Sequence, residues 1–120
     1  MDVMSGIIVF YLGQIGQVQN VVVNRKLLSE STAVIISWSA PNQTNGQNTK
    51  LFQYLVKYCS NETQTCTNTS LSSATFVEIT GLSSSHHYTY MIFVFDSNMV
   101  HGSTFNGFFM TAARGGYCCE

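Results

Sequence analysis

Charge is scarce in this chain. Only 9% of its 120 residues are Asp, Glu, Lys or Arg, and the formal net charge is −1. So weak a field neither steers a protein toward polyanions nor strongly repels its neighbours. The cations Arg25, Lys26, Lys50, Lys57 and Arg114 are scattered and form no basic patch, so nucleic acid is not expected as a partner. Long apolar runs are missing as well. None exceeds the six residues of Ile7-Ile-Val-Phe-Tyr-Leu12, against the ~20 that cross a bilayer, so no membrane span is expected. The same run is a poor secretory signal, being short and preceded by Asp2 with no Lys or Arg. If the protein is secreted, its targeting sequence is expected upstream of this numbering or already removed.

Catalytic groupings are absent in the same way. The three histidines are His86 and His87 at a turn and His101 in a loop, with no nucleophile–base pair legible from spacing. The acids Asp2, Glu30, Glu62, Glu78, Asp96 and Glu120 are dispersed, and no glycine-rich phosphate loop opens a helix. Neither an enzyme nor a cofactor is expected. Cys118 and Cys119 with these histidines lack any spaced ligand pattern, so a metal site is not expected.

What the chain has in place of charge is Ser, Thr, Asn and Gln. Three Asn-X-Ser/Thr sequons occur, Asn42-Gln-Thr44, Asn61-Glu-Thr63 and Asn68-Thr-Ser70, all in predicted turns. They point to N-linked glycans on Asn42, Asn61 and Asn68 and to an extracellular or luminal protein.

Alternation of apolar and polar residues dominates and helical periodicity does not occur, which makes this an all-β sequence. Strands are expected over 18–24, 33–39, 52–60, a short piece after the polar loop 61–68, then 75–80, 88–96 and 105–113. Val34, Ile36 and Trp38 share one face of the second; Tyr54, Val56 and Tyr58 share one face of the third. Pro41, the only proline, opens a turn cluster. Seven strands with turns every eight to twelve residues indicate a two-sheet sandwich.

Specific residues sharpen that reading. Trp38 lies in Ser-Trp-Ser-Ala-Pro at the end of one strand, and Tyr54 lies in the next. Thr80-Gly-Leu-Ser-Ser-Ser-His-His-Tyr88 then leads into Tyr88-Thr-Tyr-Met-Ile-Phe-Val. Together, over roughly residues 18–114, these features resemble a fibronectin type III domain. The resemblance implies an immunoglobulin-like β-sandwich with a tyrosine corner, in which the Tyr88 hydroxyl returns to the backbone upstream. It also implies a core built on Trp38, Tyr54, Leu82, Tyr88 and Ile92. Departures are Ser83 where the family usually has proline, Asp96 where it often has Asn, and four cysteines where it generally lacks disulfides. No Arg-Gly-Asp occurs, so integrin recognition through that motif is not implied.

Cys59 and Cys66 flank a polar loop, and a hairpin brings such positions within the ~4.4–6.8 Å Cα separation of a disulfide. A local Cys59–Cys66 bond is expected, the alternative being two free thiols. Adjacent Cys118 and Cys119 are poorly placed to bond each other and follow the flexible Gly115-Gly116. Elimination leaves intermolecular disulfides or free thiols.

Tyr88, Tyr90, Ile92 and Val94 face the core by the resemblance. Met91, Phe93 and Phe95 therefore lie on the outer face, where a solvated sheet carries polar residues. Leu55 and one of Phe108 or Phe109 should join them. A cluster of that size suggests an interface. Ser5-Gly-Ile-Ile-Val-Phe-Tyr-Leu-Gly13 is a further strand-like segment, with Ile7, Ile8, Val9 and Phe10 as candidate contacts. It has three readings: docking on its own domain, adding to the sheet edge of another copy, or remaining from a signal peptide.

The expected organisation is an N-terminal extension 1–17, a sandwich 18–114 and a cysteine-bearing tail 115–120. The function expected is protein–protein self-assembly outside the cytoplasm, as a filament or matrix subunit. The alternative is an adhesion or receptor ectodomain module that binds a different protein.

Overall fold

The computed structural model describes residues 15–27, 32–44 and 46–111. Two antiparallel sheets face each other. One has the order β1-β2-β5, with β1 at Gln19–Leu27, β2 at Thr32–Ser39 and β5 at Phe76–Leu82. The other has the order β4-β3-β6-β7, with β3 at Gln53–Ser60, β4 at Cys66–Asn68, β6 at His87–Phe95 and β7 at Phe105–Met110.

The period-2 pattern does what it promised. Val34, Ile36 and Trp38 from β2 meet Tyr54 and Val56 from β3 and Tyr88, Tyr90, Ile92 and Val94 from β6, all buried. The Trp38 and Tyr54 rings meet edge to face at 5.5 Å, a favourable aromatic geometry. Tyr88 stacks on Phe109 at 5.3 Å, which places Phe109 inward and leaves Phe108 outward. Gly107 keeps β7 close to this layer: a Cβ there would stand 2.6 Å from the Tyr90 ring.

The tyrosine corner is present. The Ser83 N–H donates to the Tyr88 hydroxyl at 3.0 Å. Thr111, fully buried just after β7, ties the same corner down. Its hydroxyl accepts the His86 N–H at 3.0 Å and donates to the Ser83 carbonyl at 2.6 Å, while its own N–H reaches the His86 carbonyl.

Several boundaries differ from expectation. β1 starts and ends later than residues 18–24, and its register shifts between Gln19 and Val22, where Asn20 takes φ 52°. β5 runs on to Leu82, carried through Gly81 at φ 72°, a backbone that favours glycine. The fourth strand forms inside the expected polar loop. Every residue of β4 is exposed, so no hydrophobic alternation marks it. Ile15 lies upstream of the expected boundary at residue 18, yet it is buried in the core with Val18. Its carbonyl accepts the Ser103 N–H at 3.0 Å, and the Gly16 N–H donates to Gln43. Gly102 permits this approach, since a Cβ there would sit 2.6 Å from the Ile15 carbonyl oxygen.

Candidate interaction face and glycosylation sites

Antiparallel register assigns the outer face of the four-stranded sheet row by row, because directly paired residues share a face. Gln53 pairs with Phe95, Leu55 with Phe93, Lys57 with Met91 and Cys59 with Thr89. Across β6, Met91 pairs with Asn106, Thr89 with Phe108 and His87 with Met110. On the far side, Lys57 pairs with Asn68 and Cys59 with Cys66.

Leu55, Met91, Phe93 and Phe95 thus form one contiguous apolar strip, each of them half-buried among its neighbours. Phe95 is covered at its end by an edge contact with His101 at 6.1 Å. Phe108, 76% exposed, stands apart from the strip toward the other end of the sheet, beside Met110. Residues Ile7, Ile8, Val9 and Phe10, and Cys118 and Cys119, lie outside the described residues.

Cys59 and Cys66 are bonded to each other, between directly paired positions of β3 and β4. The bond closes the hairpin that carries Asn61. A second tie comes from Glu62, whose carboxylate accepts the His87 backbone N–H at 3.1 and 3.3 Å and approaches the His87 Nδ1 at 3.2 Å. Desolvation pushes the Glu62 carboxyl up, but the hydrogen bonds from the His87 ring and backbone outweigh it and hold the group below its usual value. The Asn61 N–H reaches the His87 carbonyl at 2.9 Å. The hairpin is therefore fastened onto the first residues of β6.

Asn42, Asn61 and Asn68 are all exposed. Asn42 follows Pro41 in a bend and Asn61 lies in the hairpin turn, as expected for sequons. Asn68, expected in a turn, is instead in β4, on the edge of the sheet opposite Lys57. Asn61 continues the outward alternation of Leu55, Lys57 and Cys59. Two of the three sequons thus belong to the same face as the apolar strip.

At the other end of the sheet, Asp96 organises the β6–β7 turn, which sequence reading noted only as a departure from a family pattern. Its carboxylate accepts the Asn98 N–H at 2.8 Å, the Val100 N–H at 3.0 Å and the Gln47 amide at 3.4 Å. The Val100 bond, against the upward push of burial, and then the Asn98 and Gln47 bonds hold this carboxyl below its ordinary value. Among the described residues no three His, Cys, Asp or Glu side chains converge as a metal site would require.

The fibronectin type III domain model matches residues 16–104 of the chain. The chain belongs to the fibronectin type III family. Solved structures with the same fold include the kinase region of twitchin from C. elegans, at TM-score 0.63 and 17% identity over 82% of this chain. Rat CD45 extracellular domains d3-d4 match at TM-score 0.66 and 15% identity, also over 82% of this chain. A structure described as that of a myokine matches at TM-score 0.62 and 10% identity over 82% of this chain and 99% of its own. At such identities the likeness is one of fold. The chain spans 17% of the twitchin region and 50% of the CD45 pair. Comparison with curated proteins finds no match.

Fibronectin type III domains are generally non-catalytic modules for protein interaction, and the fold by itself does not choose a partner. In this fibronectin type III domain the features left over from fold-building are the apolar strip, the exposed Phe108 and the sequons beside them. No helix among the described residues is long and apolar enough to cross a membrane.

Proposed function

We propose that this fibronectin type III domain is an extracellular, N-glycosylated contact module whose partner is a second copy of itself. The observation that carries the reading is where the chain joins the sandwich. Ile15 is hydrogen-bonded to Ser103, two residues before β7. The strand-like sequence Ile7-Ile-Val-Phe-Tyr-Leu12 ends three residues before Ile15, and β7 is an edge strand of its sheet. An edge strand offers a row of backbone donors and acceptors to an added strand.

Six residues of that segment match the six of β7 in length, so pairing along the whole edge is geometrically consistent. Passed from one copy to the next, the contact is heterologous and builds an open chain of domains. The apolar strip of Leu55, Met91, Phe93 and Phe95 supplies side-chain burial next to the edge. Cys118 and Cys119 then make the contact durable as intermolecular disulfides in an oxidising compartment. The Cys59–Cys66 bond and the three sequons support that compartment.

Light scattering on the full chain and on a variant lacking residues 1–13, each with and without reductant, tests the proposal. The deletion spares Ile15 and so leaves the core intact. Assembly of the full chain, lost on deletion and reduced in mass by reductant, is expected. A deletion variant that still assembles refutes strand addition.

A second reading has its own support: similar domains in twitchin and CD45 occupy fractions of longer chains, and the latter is an extracellular region. On that reading the domain is an adhesion or receptor module with a different protein as ligand. A full chain that stays monomeric with and without reductant favours it.

A further inference from the structure

The outward side chains at the Phe108 end of the sheet are not part of the apolar strip on which the contact just described draws. Phe108 is the most exposed large apolar side chain among the described residues at 76%, and Met110 beside it is 41% exposed. Asn61, His87, Thr89, Phe108, Phe109 and Met110 border a cleft of about 440 Å³. That volume is in the range of small-ligand clefts, roughly 300–1,000 Å³. One wall is a sequon asparagine.

We infer that this cleft is the seat of the Asn61-linked glycan, whose first N-acetylglucosamine lies across Thr89 with its apolar ring face against Phe108. The inference rests on the secretory reading above and adds to it a defined place for one sugar.

Register makes the distance short. Asn61 sits beside His87, and His87 pairs with Met110, so Asn61 and the β7 side chains are separated by β6 alone. Two strand spacings amount to about 9.6 Å. An asparagine side chain and one pyranose ring bridge that gap. Thr89, one outward position along from His87, pairs with Phe108, so the ring that leaves Asn61 meets Phe108 on the diagonal.

The chemistry is matched. One face of the sugar is lined by C–H groups carrying partial positive charge, and an aromatic ring offers a negative face. The sugar hydroxyls and acetamide find polar partners in the exposed side chains of His87 and Thr89. The attachment point is held still, because the Asn61 N–H is bonded to His87 and Glu62 clamps the same residue. Little freedom is then lost when the sugar docks.

Tethering also decides between occupants. A group attached to Asn61 reaches Phe108 at an effective concentration of order millimolar, which a free protein partner must outcompete. The glycan thus closes the Phe108 end of the sheet and leaves the Leu55, Phe93 and Phe95 end open.

The test is a thermal-melt cycle on the full chain secreted from eukaryotic cells behind an added leader. Asn42→Gln and Asn68→Gln leave Asn61 as the sole sequon, and endoglycosidase trimming leaves a single N-acetylglucosamine. The trimmed protein is expected to melt about 4 °C above the matching Asn61→Gln variant, the scale of one modest contact in a domain of this size. Phe108→Ser should abolish that difference and Phe108→Trp should keep it. Peptide mapping that finds Asn61 bare in the secreted chain overturns the inference. So does a difference of the same size in Phe108→Ser, which would mean the sugar acts without the ring. Bare asparagines in native-source protein would count against the secretory reading alone, because the cycle on the secreted chain still decides whether Phe108 takes the sugar. Loss of self-assembly would show in light scattering and leave the cycle unchanged.

Discussion

The Tyr88 hydroxyl and the Ser83 amide are joined at 3.0 Å, and this single bond closes the corner between the two sheets. Tyr88 is buried through its ring and polar only at its tip, so the side chain serves as a core residue and a turn anchor at once. Removing the hydroxyl alone separates the two roles. Tyr88→Phe is expected to cost about 1 kcal/mol, the net worth of one such bond, with the fold retained. Urea denaturation should show a lower midpoint at an unchanged slope.

Thr111 holds the other side of the same corner. Its hydroxyl serves the His86 N–H and the Ser83 carbonyl, and Thr111→Val removes both bonds while keeping the shape. A loss of roughly 1–3 kcal/mol is expected, because backbone groups are left unpartnered. Combining it with Tyr88→Phe should give less or more than the sum, since both act on Ser83. A double-mutant cycle reads that coupling directly.

Asp96 predicts an acid limb in the stability profile. Its carboxyl titrates lower in the folded chain than its ordinary 3.8, through the Val100 bond first. The stabilisation is therefore fully present above that ordinary value and is lost as pH falls through the folded value. Asp96→Asn keeps an oxygen for Asn98 and Val100 but cannot titrate. Melts between pH 2 and pH 6, a range of about four units around the carboxylate region, should fall less steeply for the variant than for the parent. Parallel curves would remove Asp96 from the account.

Gly107 offers a packing test. A methyl group there meets the Tyr90 ring at 2.6 Å, so the ring or β7 must move. Gly107→Ala is expected to destabilise by about 1–3 kcal/mol, in the range for overpacking a close contact. Gly46, where a Cβ would meet nothing, is a poor control because its φ is 78°. Exposed Ser73→Ala, outside every sequon, serves better and should stay within about 0.5 kcal/mol of the parent.

The sandwich was legible where side chains alternate cleanly and large. Val34, Ile36 and Trp38, and then Tyr88, Tyr90, Ile92 and Val94, announce both strand and inward face, and the spacing from Leu82 to Tyr88 announces the corner. A short fourth strand was expected but its place was not legible, because Cys66, Thr67 and Asn68 are exposed on an edge and carry no apolar period. The place of Asn68 was missed with it. Ile15 was assigned to an extension because its neighbours are Gln14 and Gly16; its contact with Gly102 spans the length of the domain. The Asn61 cleft needs residues from the β3–β4 turn, β6 and β7 brought together, a relation that no single stretch of sequence contains.

The fastening of Ile15 to Ser103 has a mechanical side. Tension drawn through the N-terminus meets the Gly16–Gln43 and Ser103–Ile15 hydrogen bonds and the buried Ile15 side chain before it reaches β1. A pull on the chain is therefore delivered first to the turn ahead of β7 and to the loop that follows β2, one belonging to each sheet. Were such domains strung end to end, that pair of bonds would be the fuse, expected to yield before the sandwich behind it.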